Sequence, residues 1–305
     1  MKNNEDPSDP SEIGLYENGY DISDESKKSK NDLQPGISER EENSIETRKY
    51  RHNEIPATLK NTSHTMVSKS SPGAATKTES QTAFTLNVGA VMGNLVWRAS
   101  CEPEVIKQWF TQQLYKKKVE EFVSIADRII ETFFKMYEEE LPPYSTDEYQ
   151  FAKGLLGTVA NMAHIPEGRN FLIENKDGKS LIRNLVYFLP RIPMPLGVHL
   201  KKLLMVILWN MSVNKSVLSY FFDLQIGRVV AHCLDESSPE ILKLTGFELL
   251  LSITYNLTDP KLLDDIFKYV SIEKVRRIAD TGQDKEADLA QRFLDCLTGS
   301  GIAKP

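Results

Sequence analysis

Apolar residues fall in helical stripes along most of this chain. In KVEEFVSIADRIIETFFKMYEEEL, Val119, Phe122, Val123, Ala126, Ile130, Phe133 and Tyr137 recur at intervals of three and four, with charges opposite. That period predicts an amphipathic helix with one buried face. STDEYQFAKGLLGTVANMA opens on a capping cluster at Ser145–Asp147 and carries its apolar set to Met162, which predicts a second helix. GVHLKKLLMVILWNMSVN is apolar nearly all round after Lys202 and predicts a helix buried on most sides. SPEILKLTGFELLLSITYNLT follows the same plan, and LPPYS, IPMPLG and SSP supply the breaks. No alternating strand pattern stands out.

The helices end on related words. GNLVWRASCEPEVIKQWF, VANMAHIPEGRNFL, LWNMSVNKSVLSYFF and TYNLTDPKLLDDIF each join an apolar run, an Asn, a polar turn and a short apolar helix. The asparagines are Asn94, Asn161, Asn210 and Asn256. The last three are spaced by roughly 46–49 residues, close to the period of armadillo and HEAT repeats. The first interval is longer and reads as holding an inserted helix at Val119–Tyr137. The expected fold is all-α: a short armadillo-type α-solenoid of about four irregular repeats. Residues 83–298 form it. A polar, disordered tail spans 1–82, and a short disordered end spans 299–305.

An amide inside an apolar helix needs hydrogen-bond partners. Two roles are open for Asn161 and Asn210. A carboxamide both donates and accepts, so it can pair with the backbone of an extended peptide whatever its side chains. It can equally tie down a neighbouring turn of its own repeat. Asn256 carries the ladder pattern more weakly, Asn94 fits a structural place in a cap, and Asn214 fits a cap or turn. Trp97 and Trp109 read as packing residues, and Trp209 as a candidate groove anchor.

Composition narrows the function. The first 80 residues lack Phe, Trp and Cys and are crowded with charged and small polar residues. Such a stretch buries too little apolar surface to offset its chain entropy. KKSK (Lys27–Lys30) and RKYR (Arg48–Arg51) read as solvated charge rather than a localisation signal. GLYENGYDI (Gly14–Ile22) is the tail's most apolar patch and a candidate linear motif. A net charge of −6 and a pI near 5.6 give no footprint for direct nucleic-acid binding. Cys101, Cys233 and Cys296 show neither metal nor redox spacing and read as reduced thiols of an intracellular protein. No membrane span, secretory leader, metal site or cofactor is expected. NKDGKSL lacks the preceding Gly of a P-loop, and no Ser or Cys carries an elbow signature, so the chain reads as no enzyme. The Asn-x-Ser/Thr matches at Asn61, Asn210, Asn214 and Asn256 carry no weight, three of them lying in or beside predicted helices. His164 reads as a satisfied helix-end residue.

DEYQFAKGLLGTVANMAHIPEGRNFL (Asp147–Leu172) and LKKLLMVILWNMSVNKSVLSYF (Leu200–Phe221) resemble the matching segments of the heat shock factor 2-binding protein family. The shared words are an acidic DE-x-QF helix start, an Asn-apolar-Ala word, Gly-Arg-x-Phe-Leu, and a Leu-x-Lys helix ending in an Asn-apolar-Ser-x-Asn word. GNLVWRASCEPEVIKQWF resembles that family's first helix pair, so the likeness runs from about Ala83 to Leu297. It implies a non-catalytic adaptor whose armadillo groove binds a repeated peptide of the breast cancer type 2 susceptibility protein in meiotic homologous recombination, with nuclear and cytoplasmic localisation. It implies peptide-binding roles for Asn161, Arg169, Lys202 and Asn210; Lys202 lies two turns before Asn210 and hence on its face. Arg169 can instead neutralise the end of the preceding helix. The family's N-terminal coiled coil has no counterpart here, since the polar tail lacks sustained heptads, and the functions of that coil are not carried over. Self-association of the solenoid, whose ends are apolar unless capped, is the alternative. An armadillo adaptor for an unrelated peptide is another.

Overall fold

The computed structural model describes residues 72–257, 263–281 and 284–299. They belong to one unit, Val67–Pro305; a second unit, Met1–Met66, lies outside them, and so do the expectations placed on the tail. Among the described residues the regular structure is helical. The α-helices are α1 (Pro72–Ala99), α2 (Pro103–Thr111), α3 (Gln113–Met136), α4 (Asp147–His164), α5 (Pro166–Glu174), α6 (Lys176–Phe188), α7 (Val198–Ser212), α8 (Lys215–Asp223), α9 (Ile226–Cys233), α10 (Glu240–Asn256), α11 (Leu263–Tyr269), α12 (Ile272–Thr281) and α13 (Asp284–Gly299). A single 3₁₀ turn, Leu189–Arg191, follows α6. Helix α1 begins at Pro72, ahead of the boundary expected at residue 83.

Every third helix stacks on the next: α1 on α4, α4 on α7, α7 on α10 and α10 on α13. Two further helices fill each interval, which is the three-helix plan of an armadillo solenoid. This corrects the reading of Val119–Tyr137 as an insertion. That stretch is α3, the ordinary second helix of its interval, and it packs on α6, the second helix of the next. The interval is longer because α3 has 24 residues and α6 has 13.

Local chemistry sets the helix starts. Thr146 Oγ1 accepts from Tyr149 N at 3.4 Å, and Asp147 and Glu148 lie in the first turn of α4, where the helix dipole favours them. Asn175 Oδ1 accepts from Asp177 N and Gly178 N at 2.9 Å, so the Gly-Lys-Ser word is simply the start of α6. Pro103 and Pro166 open α2 and α5, where a missing N–H costs nothing. Asn214 caps α8, its Oδ1 accepting from Ser216 N at 3.0 Å, and its Nδ2 donates to Asn170 Oδ1 at 2.8 Å.

The core runs between the stacked row and the shorter helices. Leu155, Leu156, Val159 and Met162 of α4 and Leu204, Ile207, Leu208 and Met211 of α7 are buried. The closest approach in the row is between α1 and α4. A Cβ on Gly154 would lie 2.7 Å from the Gly93 backbone carbon, so only a bare backbone fits there. Phe151 covers Gly89 and Gly93 from the α4 side. Gly154→Ala should therefore push the two helices apart and destabilise the fold by about 1–3 kcal/mol, the usual cost of overpacking. Urea unfolding followed by circular dichroism measures it; an unchanged midpoint would mean that α1 does not hold this close seat.

Candidate functional site

Paired contacts near both ends of neighbouring row helices fix their register. Asn87 Nδ2 donates to Asp147 Oδ2 at 3.2 Å, and Asn161 Nδ2 to Ser100 Oγ at 2.8 Å, so α1 and α4 run parallel. Tyr149 Oη donates to the Leu196 carbonyl at 3.5 Å, and Asn210 Nδ2 to the Ala160 carbonyl at 3.3 Å, so α4 and α7 do too. The Ser212 and Ser252 hydroxyls lie 2.6 Å apart between α7 and α10.

These contacts settle what the repeated asparagines touch. The Asn161 amide donates just past the end of α1 and the Asn210 amide donates to α4, ties between repeats rather than the tie within one repeat expected above. Asn210 is 7% exposed. Asn161 is half-buried, and no donor among the described residues reaches its Oδ1. Asn256 Nδ2 donates one turn back, to the Ser252 carbonyl at 2.9 Å. Asn94 is not the repeat counterpart of the others. Ser100 Oγ donates to the Trp97 carbonyl at 2.6 Å, as Ser212 Oγ does to that of Trp209. Trp97-Arg98-Ala99-Ser100 therefore corresponds to Trp209-Asn210-Met211-Ser212, and Arg98 stands at the Asn position. The signal in the sequence is the Trp-x-x-Ser spacing, not the Asn.

With Asn210 turned inward and Asn161 half-buried, other residues reach the open side of the row as well. Along α4 from Phe151 to Asn161, Lys153 is the residue between them that is not buried. On α7 beyond Leu200 the partly exposed positions are Lys202, Val206 and Trp209, with Val213 just past the helix at 39% exposure. They lie three to four residues apart, on one face. On α10 the corresponding line is Glu248, Ser252 and Tyr255. Lys153 and Lys202 stand eight residues before Asn161 and Asn210, so the α4–α7 register sets them side by side.

Trp97 lies flat on α4. A Cβ on Gly157 would come within 2.4 Å of its indole ring, and Lys153 Nζ lies 5.4 Å from the ring centroid, in cation–π range. Burial holds the Lys153 ammonium below its ordinary pKa. Burial raises the Glu248 carboxyl, and Lys285 offsets part of that rise. Arg169 folds back on α4: its Nη1 donates to the carbonyls of Ala163 at 3.2 Å and His164 at 2.7 Å. It thereby satisfies carbonyls that the end of the helix leaves unpaired. Gly168 makes that turn possible, because a Cβ there would fall 1.9 Å from the Met162 carbonyl oxygen. The predicted residues thus divide. Lys202, Trp209 and Asn161 reach the open face, whereas Asn210 and Arg169 hold helix ends in place.

Another cluster is sealed. Lys201, 2% exposed, has its Nζ 2.8 Å from His232 Nε2, and Cys233 beside it is fully buried. Burial pushes the Cys233 thiol up to about 12, so no thiolate forms there near neutrality. Among the described residues no group of His, Cys, Asp and Glu could hold a metal ion, and no helix is long and apolar enough to cross a membrane.

Residues 86–216, from α1 to the start of α8, match the family model described as the heat shock factor 2-binding protein ARM-like domain. Mouse (Mus musculus) heat shock factor 2-binding protein is 30% identical over 140 residues, 46% of this chain and 40% of that protein. This chain therefore spans less than half the length of that relative. Two designed armadillo repeat structures, one made for modular peptide recognition, are each 13% identical with a TM-score of 0.36. They align over 64% of this chain and 99% and 98% of their own. At that score the likeness adds nothing to what the helices themselves display.

The sealed cluster makes a prediction. Burial, then the charge of Lys201, lowers the His232 pKa below its ordinary value of about 6.5. Below that value the unfolded chain binds a proton the folded one resists, so stability falls as pH falls. Denaturant unfolding across that range should show this slope, and His232→Gln should flatten it. An equal slope in both proteins would remove His232 as its source.

Proposed function

We propose that this chain is a non-catalytic adaptor that holds an extended peptide along the open face of its stacked row. The observation that carries this reading is the match of residues 86–216 to the heat shock factor 2-binding protein ARM-like domain. Its agreement with the resemblance in the words around Asn161, Arg169 and Asn210 supports the finer assignment. The partner is a peptide of a recombination mediator of the breast cancer type 2 susceptibility protein class, in meiotic homologous recombination, with nuclear and cytoplasmic placement. Lys202, Trp209 and Asn161 are the contact residues. Trp209 offers a half-buried aromatic surface, the kind of group that dominates binding energies. Asn161 offers a peptide N–H a carboxamide oxygen that no donor among the described residues reaches. Asn210 and Arg169 act indirectly, by holding the ends of α7 and α4.

Titration calorimetry with the repeated peptide of the susceptibility protein tests the partner. The wild-type chain should bind it, and Trp209→Ala and Lys202→Glu should each weaken binding by about tenfold or more. Heat with the wild type and none with the variants supports the site. No heat with the wild type overturns the partner while leaving the fold intact.

Self-association is a second reading, favoured by a specific feature of α1. Phe84, Val88, Val91, Met92 and Leu95 are 42–71% exposed and form one stripe on the side of α1 away from Gly93. No charged residue lies between Gln81 and Trp97. The spacing of Phe84, Val88, Val91 and Leu95 is four, three, four, the seam of a helix pair. An uncharged stripe can meet a second copy of itself without like-charge repulsion. Light scattering after size exclusion should then give a dimer that Val91→Glu with Leu95→Glu reduces to a monomer. A wild-type monomer at high concentration overturns it.

A further inference from the structure

Lys153 is the feature of the open face that the fold itself does not explain. Packing of α4 against α1 and α7 buries nearly everything around it, yet the side chain remains half-exposed. No carboxylate among the described residues pairs with it; its ammonium lies against the Trp97 ring. An ammonium lodged beside an indole gives up part of its hydration, and an unpaired, partly dehydrated charge costs free energy. Neutral residues of similar shape, such as Met or Gln, would fill the same space without that cost.

We propose that Lys153 receives the side-chain carboxylate of an Asp or Glu in the bound peptide, with the neighbouring ligand residue lying on the Trp97 indole. The inference rests on the peptide-groove reading above and names what that groove selects at its α1–α4 end. Three features converge there. Gly157 lets the indole lie flat, so the ring presents a face rather than an edge. Lys153 stands one turn before Gly157 on the same helix face, so its ammonium sits over that ring. Arg98 follows Trp97 directly and is exposed, adding positive charge at this end of α1. The chain as a whole carries a net charge of −6. Its long-range field therefore repels an acidic peptide, and a preference for acidic residues can arise only from a local site.

A random linear dodecapeptide display library panned on the full chain provides the test. Wild-type selection should enrich Asp or Glu at one position beside an apolar residue. Lys153→Glu should turn that enrichment to Lys or Arg. Lys153→Met should bind the best wild-type peptide about tenfold more weakly or worse, the scale of one charge-assisted hydrogen bond. Its melting midpoint should hold or rise, which separates lost contact from lost fold. Peptides enriched without acidic residues, or an acidic preference that survives both substitutions, overturn the Lys153 assignment and leave the groove standing. If the wild-type chain retains no peptide, the groove reading falls and the assignment with it.

Discussion

The burial of α4 is the constraint on which the rest depends. This helix is flanked by α1 and α7 and also packs on α2, α3 and α5, so almost every position between Phe151 and Asn161 must be apolar or small. Two glycines answer different parts of that demand. Gly154 lets the α1 backbone come into direct contact, and Gly157 leaves a flat seat that Trp97 fills. Leu155, Leu156 and Val159 fill the remaining sides. Little is then free to vary. The side chains that escape burial between Ala152 and Met162, Lys153 and Asn161, define where anything else can touch this stretch of the helix.

Polar groups inside such a row must find partners within it. The amides of Asn161 and Asn210 reach the preceding row helix, and the Ser212 hydroxyl meets Ser252 on the following one. Each bond lies near a helix end, where carbonyls and hydroxyls are in reach. Together they pin neighbouring helices in register, which pure apolar packing would leave free to slide. That register is what aligns Lys153 with Lys202 across α4 and α7. The asparagines thus contribute to the open face chiefly by deciding which other residues stand on it.

The helices were legible in the sequence because their apolar period is strong and their caps are local: Thr146 and Asn214 act on residues two or three positions away. The repeat was legible from the interval between Asn161, Asn210 and Asn256. Orientation was not. A side chain's direction depends on which neighbour it faces, and an Asn bonded across helices has the same one-dimensional signature as an Asn bonded to a ligand. Asn210 and Arg169 show this, both being turned to backbone carbonyls. The misplaced repeat counterpart, Asn94, had a similar cause. Identity of residue type was matched, whereas the conserved geometry was the hydroxyl of Ser100 and Ser212 folding back on Trp97 and Trp209. Lys153 escaped notice because a lone Lys in an apolar helix looks like a solvated surface charge until its neighbours are known.

Among the described residues α1 has one neighbour in the row instead of two, so it bears two surfaces of different character. Its Gly93 side is locked to α4, and Trp97 turns from that contact toward the open face. Its far side carries the uncharged stripe from Phe84 to Leu95. Helical geometry sets these roughly half a turn apart. A partner on the stripe would therefore not compete for the space over Lys153 and Trp97, and the two surfaces can be occupied at the same time. They remain mechanically linked, because any force that shifts α1 along α4 must break the Asn161–Ser100 bond and lift Trp97 from Gly157. Whatever covers the stripe thereby also fixes the end of the groove, a coupling that follows from packing rather than from any contact between the two ligands.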